Sequence, residues 1–170
     1  FSCFVWNWTS NIELAKAIKE KYPDCIIVFG GWQVPMSDRI QGFFKKYPYV
    51  DIAVHGEGEL TFADILIENL KPYPAWENIL GCSVPYRMVD DKRALNRTVD
   101  YGLVTKEEFD SSGYKMLDTF TTKPRPRIGS IAEMPSPYLD GLFDRLIKDC
   151  RFDLEATFET TRGCPYSCTY

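Results

Sequence analysis

The sequence predicts an α/β fold, part of a doubly wound parallel sheet, on three observations. Two short apolar runs rich in β-branched residues, Cys25–Phe29 and Val50–Val54, read as strands buried on both faces. Stretches with apolar residues at helical spacing alternate with these runs. Each run ends in a glycine loop, Gly30-Gly31 after the first and His55-Gly-Glu-Gly-Glu59 after the second. Helices alternating with short apolar strands imply a sheet covered on both sides, with ligands bound outside the carboxyl ends of its strands.

Taken in chain order, Ser10 followed by Glu13 reads as a capping box that opens a helix near Asn11–Tyr22. Leu14, Ala15, Ile18 and Tyr22 make its inner face, and Pro23-Asp24 ends it. A second helix follows the first strand, with Ile40, Phe43, Phe44 and Tyr47 inward, Ser37 as its cap and Pro48 as its stop. A third follows the second glycine loop, with Phe62, Ile65, Leu66 and Leu70 inward. Beyond it the chain is less regular, because Pro72, Pro74 and Pro85 exclude long elements. Ile79–Val84 is a possible strand, Val89–Asp100 a polar hairpin or loop, Thr119–Pro126 a Thr/Lys/Pro linker, and Leu139–Lys148 a short helix with Leu142, Leu146 and Ile147 inward.

Composition narrows the class. Over 170 residues, 45% hydrophobic and 15% aromatic content suffices for a sizeable core. A net charge of -4 argues against a nucleic-acid surface, and the basic run Lys123-Pro-Arg125-Pro-Arg127 reads as a solvated linker. No apolar run approaches the ~18 residues of a membrane helix, and no signal peptide opens the chain, so a cytoplasmic protein is expected. With a single histidine, His55, no site can rest on several imidazoles. Phe1 is not methionine and the chain stops within a cysteine-rich turn, so a piece of a longer protein is expected.

The glycine loops carry a modest signal by themselves. Gly30-Gly31 is either a tight turn or a place where a flat ligand approaches the backbone, and no G-x-G-x-x-G opens a helix. Glu57 and Glu59 lie where a helix N-terminus favours negative charge. Cys3, Cys25, Cys82 and Cys150 are scattered and read as small buried hydrophobes. Cys164 and Cys168 are different: they follow an alternating segment, Glu155–Thr161, and a turn, Arg162-Gly163. Their spacing alone suits an iron–sulfur site, a structural zinc half-site or two ordinary thiols.

Thr161-Arg-Gly-Cys164-Pro-Tyr-Ser-Cys168-Thr-Tyr170 resembles the opening of the radical-SAM cluster loop, C-x3-C-x-φ-C, with Tyr170 in the aromatic position. The third cysteine is expected as the residue after Tyr170. The rest of the chain resembles the radical-SAM enzymes with an N-terminal cobalamin-binding domain. Phe1-Ser2-Cys3-Phe4 is similar to that domain's S-x-L element, Gly30-Gly31 to its G-G element, and Val50 to Glu59 to the strand and loop that follow. Ile131-Ala-Glu-Met-Pro-Ser-Pro-Tyr138 resembles the connector before the barrel. The D-x-H-x-x-G element of many relatives would precede Phe1, and His55 does not replace it.

The resemblance implies three cofactors: a [4Fe–4S] cluster held by Cys164, Cys168 and a further cysteine, S-adenosylmethionine on the Tyr170 side of that loop, and cobalamin beside Ser2, Gly30, Gly31, Gly56 and Glu57. It divides the chain into a Rossmann-like cobalamin-binding part (1–75), a connector (76–151) and the first strand and loop of a radical-SAM (β/α) barrel (152–170). It implies cleavage of S-adenosylmethionine to a 5′-deoxyadenosyl radical, most often for methylation of an unactivated carbon on a small-molecule or peptide substrate, with an electron donor as partner. A cobalamin-binding sensor or carrier, and an α/β domain with a zinc knuckle, are the other readings. By the same match Ser2 ends a strand and Cys3 to Trp6 form a loop.

Overall fold

The computed structural model describes residues 1–36, 38–89 and 119–155. The chain divides into two compact units, with the boundary between Pro126 and Arg127. In the first unit, the elements are α1 (Trp8–Lys21), β1 (Val28–Phe29), α2 (Arg39–Lys46), β2 (Ile52–Val54), α3 (Glu59–Asn69), β3 (Cys82–Pro85) and β4 (Thr119–Thr121), with 3₁₀ turns at Trp76–Asn78 and Tyr86–Met88. The second unit contains a 3₁₀ turn at Ile131–Glu133 and helix α4 (Asp144–Asp149).

The α/β class holds, and the two predicted strands are adjacent and parallel, with Val28 opposite Ile52 and Phe29 opposite Ala53. The wholly parallel sheet does not hold. Among the described residues the sheet has four strands in the order β1-β2-β3-β4; β2–β3 and β3–β4 are both antiparallel. Ser2 extends the parallel side by bridging to Gly30. β4 falls in the stretch expected to be a linker. Its threonines are β-branched, and backbone bonds from Thr122 N to Cys82 O (2.9 Å) and from Gly81 N to Lys123 O (2.8 Å) continue the pairing. Both β3 and β4 come from within residues 76–151.

Helices cover both faces. On one face Cys3, Ala15, Phe29, Ile40, Phe43, Phe44 and Ala53 form a core with Trp8, Ile12 and Ile18 against it. Trp8 lies 5.9 Å from Phe29 and 5.7 Å from Tyr47, both edge-on, and such pairs add about 0.5–1.5 kcal/mol beyond area burial. On the other face Ile52, Val54, Ile65, Trp76, Ile79, Cys82, Val84 and Phe120 pack together. Asp51, 4% exposed, ties the first face to the strands. It accepts from Lys19 Nζ (2.8 Å), Ile27 N (2.8 Å) and an Arg87 guanidinium nitrogen (3.0 Å).

Several helix expectations are corrected. Helix α1 begins at Trp8 behind Asn7, so Ser10 and Glu13 are inside it and form no capping box. Anchoring Trp8 on Phe29 and Phe43 rotates the helix, leaving Leu14 and Tyr22 exposed and Trp8, Ile12, Ala15 and Ile18 inward. Helix α2 buries Ile40, Phe43 and Phe44 as expected, behind Asp38; the expected cap Ser37 lies outside the described residues. Helix α3 buries Thr61, Ile65 and Glu68, while Phe62, Leu66 and Leu70 are exposed. The Thr61 hydroxyl donates to Leu80 O (2.9 Å) and accepts from Arg125 Nε (2.9 Å), and Glu68 accepts from Ala75 N (2.7 Å). Those bonds set the face of the helix against its apolar periodicity. In α4, Leu146 and Ile147 are exposed, as is Leu142 before it. Cys25 is exposed too, because the strand starts only at Val28 and Cys25 N closes a turn onto Tyr22 O (3.0 Å).

Candidate functional site

The carboxyl ends of the parallel strands gather three of the sequence-predicted segments. Ser2 and Gly30 are bridged, with Cys3 N donating to Gly30 O (2.6 Å) and Gly30 N to Phe1 O (3.0 Å). Residues 3–7 then form a loop, as expected. Two amides that sequence reading did not single out hold the end of this strand. Asn7 Nδ2 and Asn11 Nδ2 both donate to Ser2 O, at 2.9 and 3.0 Å, and Asn7 Oδ1 accepts from Phe4 N (2.8 Å). The asparagines flanking the first turn of α1 were the available signal.

Gly31 has φ +100°, and a Cβ there would lie 2.7 Å from Cys3 O. Its bare backbone is therefore taken up by the neighbouring loop, and Gln33 N donates to Cys3 O (3.1 Å) to lock the two loops together. Gly30 is less constrained, since a Cβ would meet Val54 Cβ at an ordinary 3.6 Å. Gly56 has φ +69° and opens onto free space, with no atom within 4 Å of a built Cβ. Large apolar side chains are exposed on the two locked loops: Trp6 stacks on Phe4 at 4.7 Å, and Trp32 is 93% exposed. Glu57 is half-buried, and Glu59 is the first residue of α3, where its charge faces the helix N-terminus.

His55 follows β2 and was read from sequence as a strand-end residue. Its backbone N–H donates to Gly81 O (2.8 Å), and its ring Nε2 is 2.7 Å from Ser83 Oγ. Burial pushes its pKa below the ordinary imidazole value. Cys3 and Cys82 are buried, as expected of small hydrophobes. Burial raises both thiols, that of Cys82 to about 12, which makes them poor thiolates at neutral pH.

Among the described residues no three His, Cys, Asp or Glu side chains come together to hold a metal ion, and no helix is long and apolar enough to cross a membrane. Cys164, Cys168 and Tyr170, with residues 156–163 of the expected barrel strand and turn before them, lie outside the described residues.

An α/β mixed sheet carrying glycine loops at the carboxyl ends of its parallel strands is compatible with a Rossmann-like fold. No protein-family model matches the chain. Individual proteins do. It is 37% identical over 172 residues to the cobalamin-dependent radical SAM methyltransferase TokK of Streptomyces tokunonensis, covering 99% of this chain and 21% of the relative. It is 36% identical, with the same coverage, to 2-(S-pantetheinyl)-carbapenam-3-carboxylate methyltransferase of Streptantibioticus cattleyicolor. An uncharacterized methyltransferase of Pyrococcus horikoshii is 28% identical over 159 residues, 92% of this chain and 27% of that protein. Along nearly its whole length the chain is thus similar to proteins named as methyltransferases, one of them as cobalamin-dependent and radical-SAM, and it spans about a fifth of the length of the first two relatives.

Proposed function

We propose that this chain forms the cobalamin-binding portion, and the entry to the radical-SAM portion, of a cytoplasmic enzyme that methylates an unactivated carbon. The observation that carries the reading is identity of 36–37% along 99% of the chain to proteins named as methyltransferases, one of them as cobalamin-dependent and radical-SAM. In this reading residues 1–75 supply the cobalamin-facing sheet edge, 76–151 lead onward, and 152–170 open the barrel. Bound together, the cofactors would supply reductive cleavage of S-adenosylmethionine to a 5′-deoxyadenosyl radical and a transferable methyl group.

The chain's own residues fit the task of binding. Ser2, Gly30 and Gly31 are locked into one rigid edge by Asn7, Asn11 and the Cys3 backbone, and Gly56 leaves open space beside it. Ser2, Gly30, Gly31, Gly56 and Glu57 would face cobalamin. Cys164 and Cys168 would ligate two irons of a [4Fe–4S] cluster, with a third cysteine completing the set and Tyr170 toward S-adenosylmethionine. An electron donor is the partner the reaction needs.

Anaerobic reconstitution of the intact protein with iron and sulfide tests the reading. Expected are a cluster absorbance band, a reducible EPR signal, and reductive cleavage of S-adenosylmethionine that Cys164→Ala or Cys168→Ala abolishes. Hydroxocobalamin should give a saturable change in the visible spectrum. Cobalamin binding without any cleavage would favour a sensor or carrier instead, and zinc in place of iron would favour a structural knuckle.

A further inference from the structure

Three neutral side chains from adjacent strands form a hydrogen-bonded row beside the second glycine loop. His55 Nε2 is 2.7 Å from Ser83 Oγ on β3, and Ser83 Oγ is 2.7 Å from Thr121 Oγ1 on β4. Register explains the alignment. Ala53 is opposite Ser83, and Ser83 is opposite Thr121; His55, two residues past Ala53, returns to the same face. Ser83 is fully buried. Thr119, two residues from Thr121 and 6% exposed, falls on that face as well.

The row is short of a partner at its His55 end, where Nδ1 is buried without a hydrogen bond, and Thr119 Oγ1, on the same face but outside the row, is likewise buried without one. Such an atom is costly in a closed interior, a cost that a leucine or valine would avoid. Buried polar atoms left this way call for a missing hydrogen-bonding group. His55 is also placed at the proposed edge. Gly30, after β1, packs against Val54, the residue before His55, and Gly56, next in sequence, opens onto free space.

The chemistry of the row selects its ligand. The row consists of two hydroxyls and one imidazole, none charged. If Ser83 donates to Nε2, Nδ1 carries the proton and donates; if Nε2 donates to Ser83, Nδ1 accepts. A carboxamide answers either polarity, and a hydroxyl answers either as well. We propose that His55 Nδ1 receives an uncharged hydrogen-bonding group of bound cobalamin, a corrin-rim carboxamide or a nucleotide-tail hydroxyl, with Ser83 and Thr121 positioning the imidazole. This inference rests on the cobalamin reading above and does not involve a bond to cobalt.

Titration of the intact protein with hydroxocobalamin, followed by visible absorbance, tests it, with circular dichroism confirming that each variant is folded. His55→Ala should weaken binding about tenfold, the loss of one buried hydrogen bond, and Ser83→Ala should weaken it less. The same titration with cobinamide, which lacks the nucleotide tail, separates the two sources. A loss that persists assigns the contact to a rim carboxamide, and a loss that disappears assigns it to the tail. Unchanged cobalamin affinity in folded His55→Ala overturns the inference and leaves the cobalamin reading standing. If His55→Ala does not fold, unchanged affinity in Ser83→Ala overturns it equally. A wild-type protein that binds no cobalamin removes the proposed function itself.

Discussion

A side-chain carbon on Gly31 would lie 2.7 Å from the carbonyl oxygen of Cys3, so the loops after the first two parallel strand segments are packed backbone on backbone. Gly31→Ala therefore has to adopt φ near +100° and push the Cys3 loop away. It should destabilise the protein by more than about 1 kcal/mol, the cost of the left-handed backbone alone. Gly42, in the exposed middle of α2 with no atom within 4 Å of a built Cβ, is the control. Gly42→Ala should be neutral or stabilising by up to about 1 kcal/mol. Urea denaturation checks both, and equal effects would contradict the packing.

Asp51 offers a second test. Its carboxylate side chain is 5% exposed and serves Lys19, Arg87 and the Ile27 N–H at once. Asp51→Ala should cost about 2–3 kcal/mol, less than the ~3–5 kcal/mol of breaking a fully buried pair, because both cations reach water when released. Lys19→Met and Arg87→Met should each cost about 1 kcal/mol or less, being discounted for their 23% and 46% exposure. A ranking in which either cation matters more than Asp51 would show that the carboxylate is not the hub.

His55 makes stability depend on pH. Burial lowers its folded pKa below that of the unfolded chain, so the unfolded state binds the proton more readily. The stability associated with neutral His55 is complete above the unfolded value, about 6.5, and is lost as pH falls below it. Thermal midpoints between pH 7.5 and 5.5 should drop more steeply in wild type than in His55→Gln, whose amide does not titrate. Parallel slopes in the two proteins would rule out this source of pH dependence.

The thiols should divide by exposure. Cys25 is exposed, while Cys3 and Cys82 are buried, with Cys82 raised to about 12. Alkylation needs thiolate. Iodoacetamide should label Cys25 in the folded protein and reach Cys3 and Cys82 only in denaturant, as read by peptide mass spectrometry. Labelling of Cys82 as fast as Cys25 would mean that the face around Trp76 and Val84 is open.

Local pattern in the sequence was enough for the α/β class, the pairing of Val28–Phe29 with Ile52–Val54 and the inward face of α2, whereas the loop after Ser2 came from the family resemblance, since pattern alone makes Cys3 to Trp6 a strand. The first three features follow from residues within a few positions of one another: β-branched runs, a 3.6-residue period and glycine at strand ends. The resemblance carried by the motif strings agrees with the names of the relatives the chain matches. Tertiary structure alone decided the rest, because the causes are distant in sequence. Thr119–Thr121 becomes a strand through its pairing with β3, some 35 residues earlier in the chain. The inward face of α1 is set by Trp8 finding Phe29, and that of α3 by Thr61 and Glu68 finding backbone partners. His55 reads as an isolated strand-end histidine until β3 and β4 carry Ser83 and Thr121 to its side. Hydrogen bonds and ring contacts made across the sheet overrode periodicity wherever the two disagreed, since a buried polar group must be paired whichever way the apolar stripe runs.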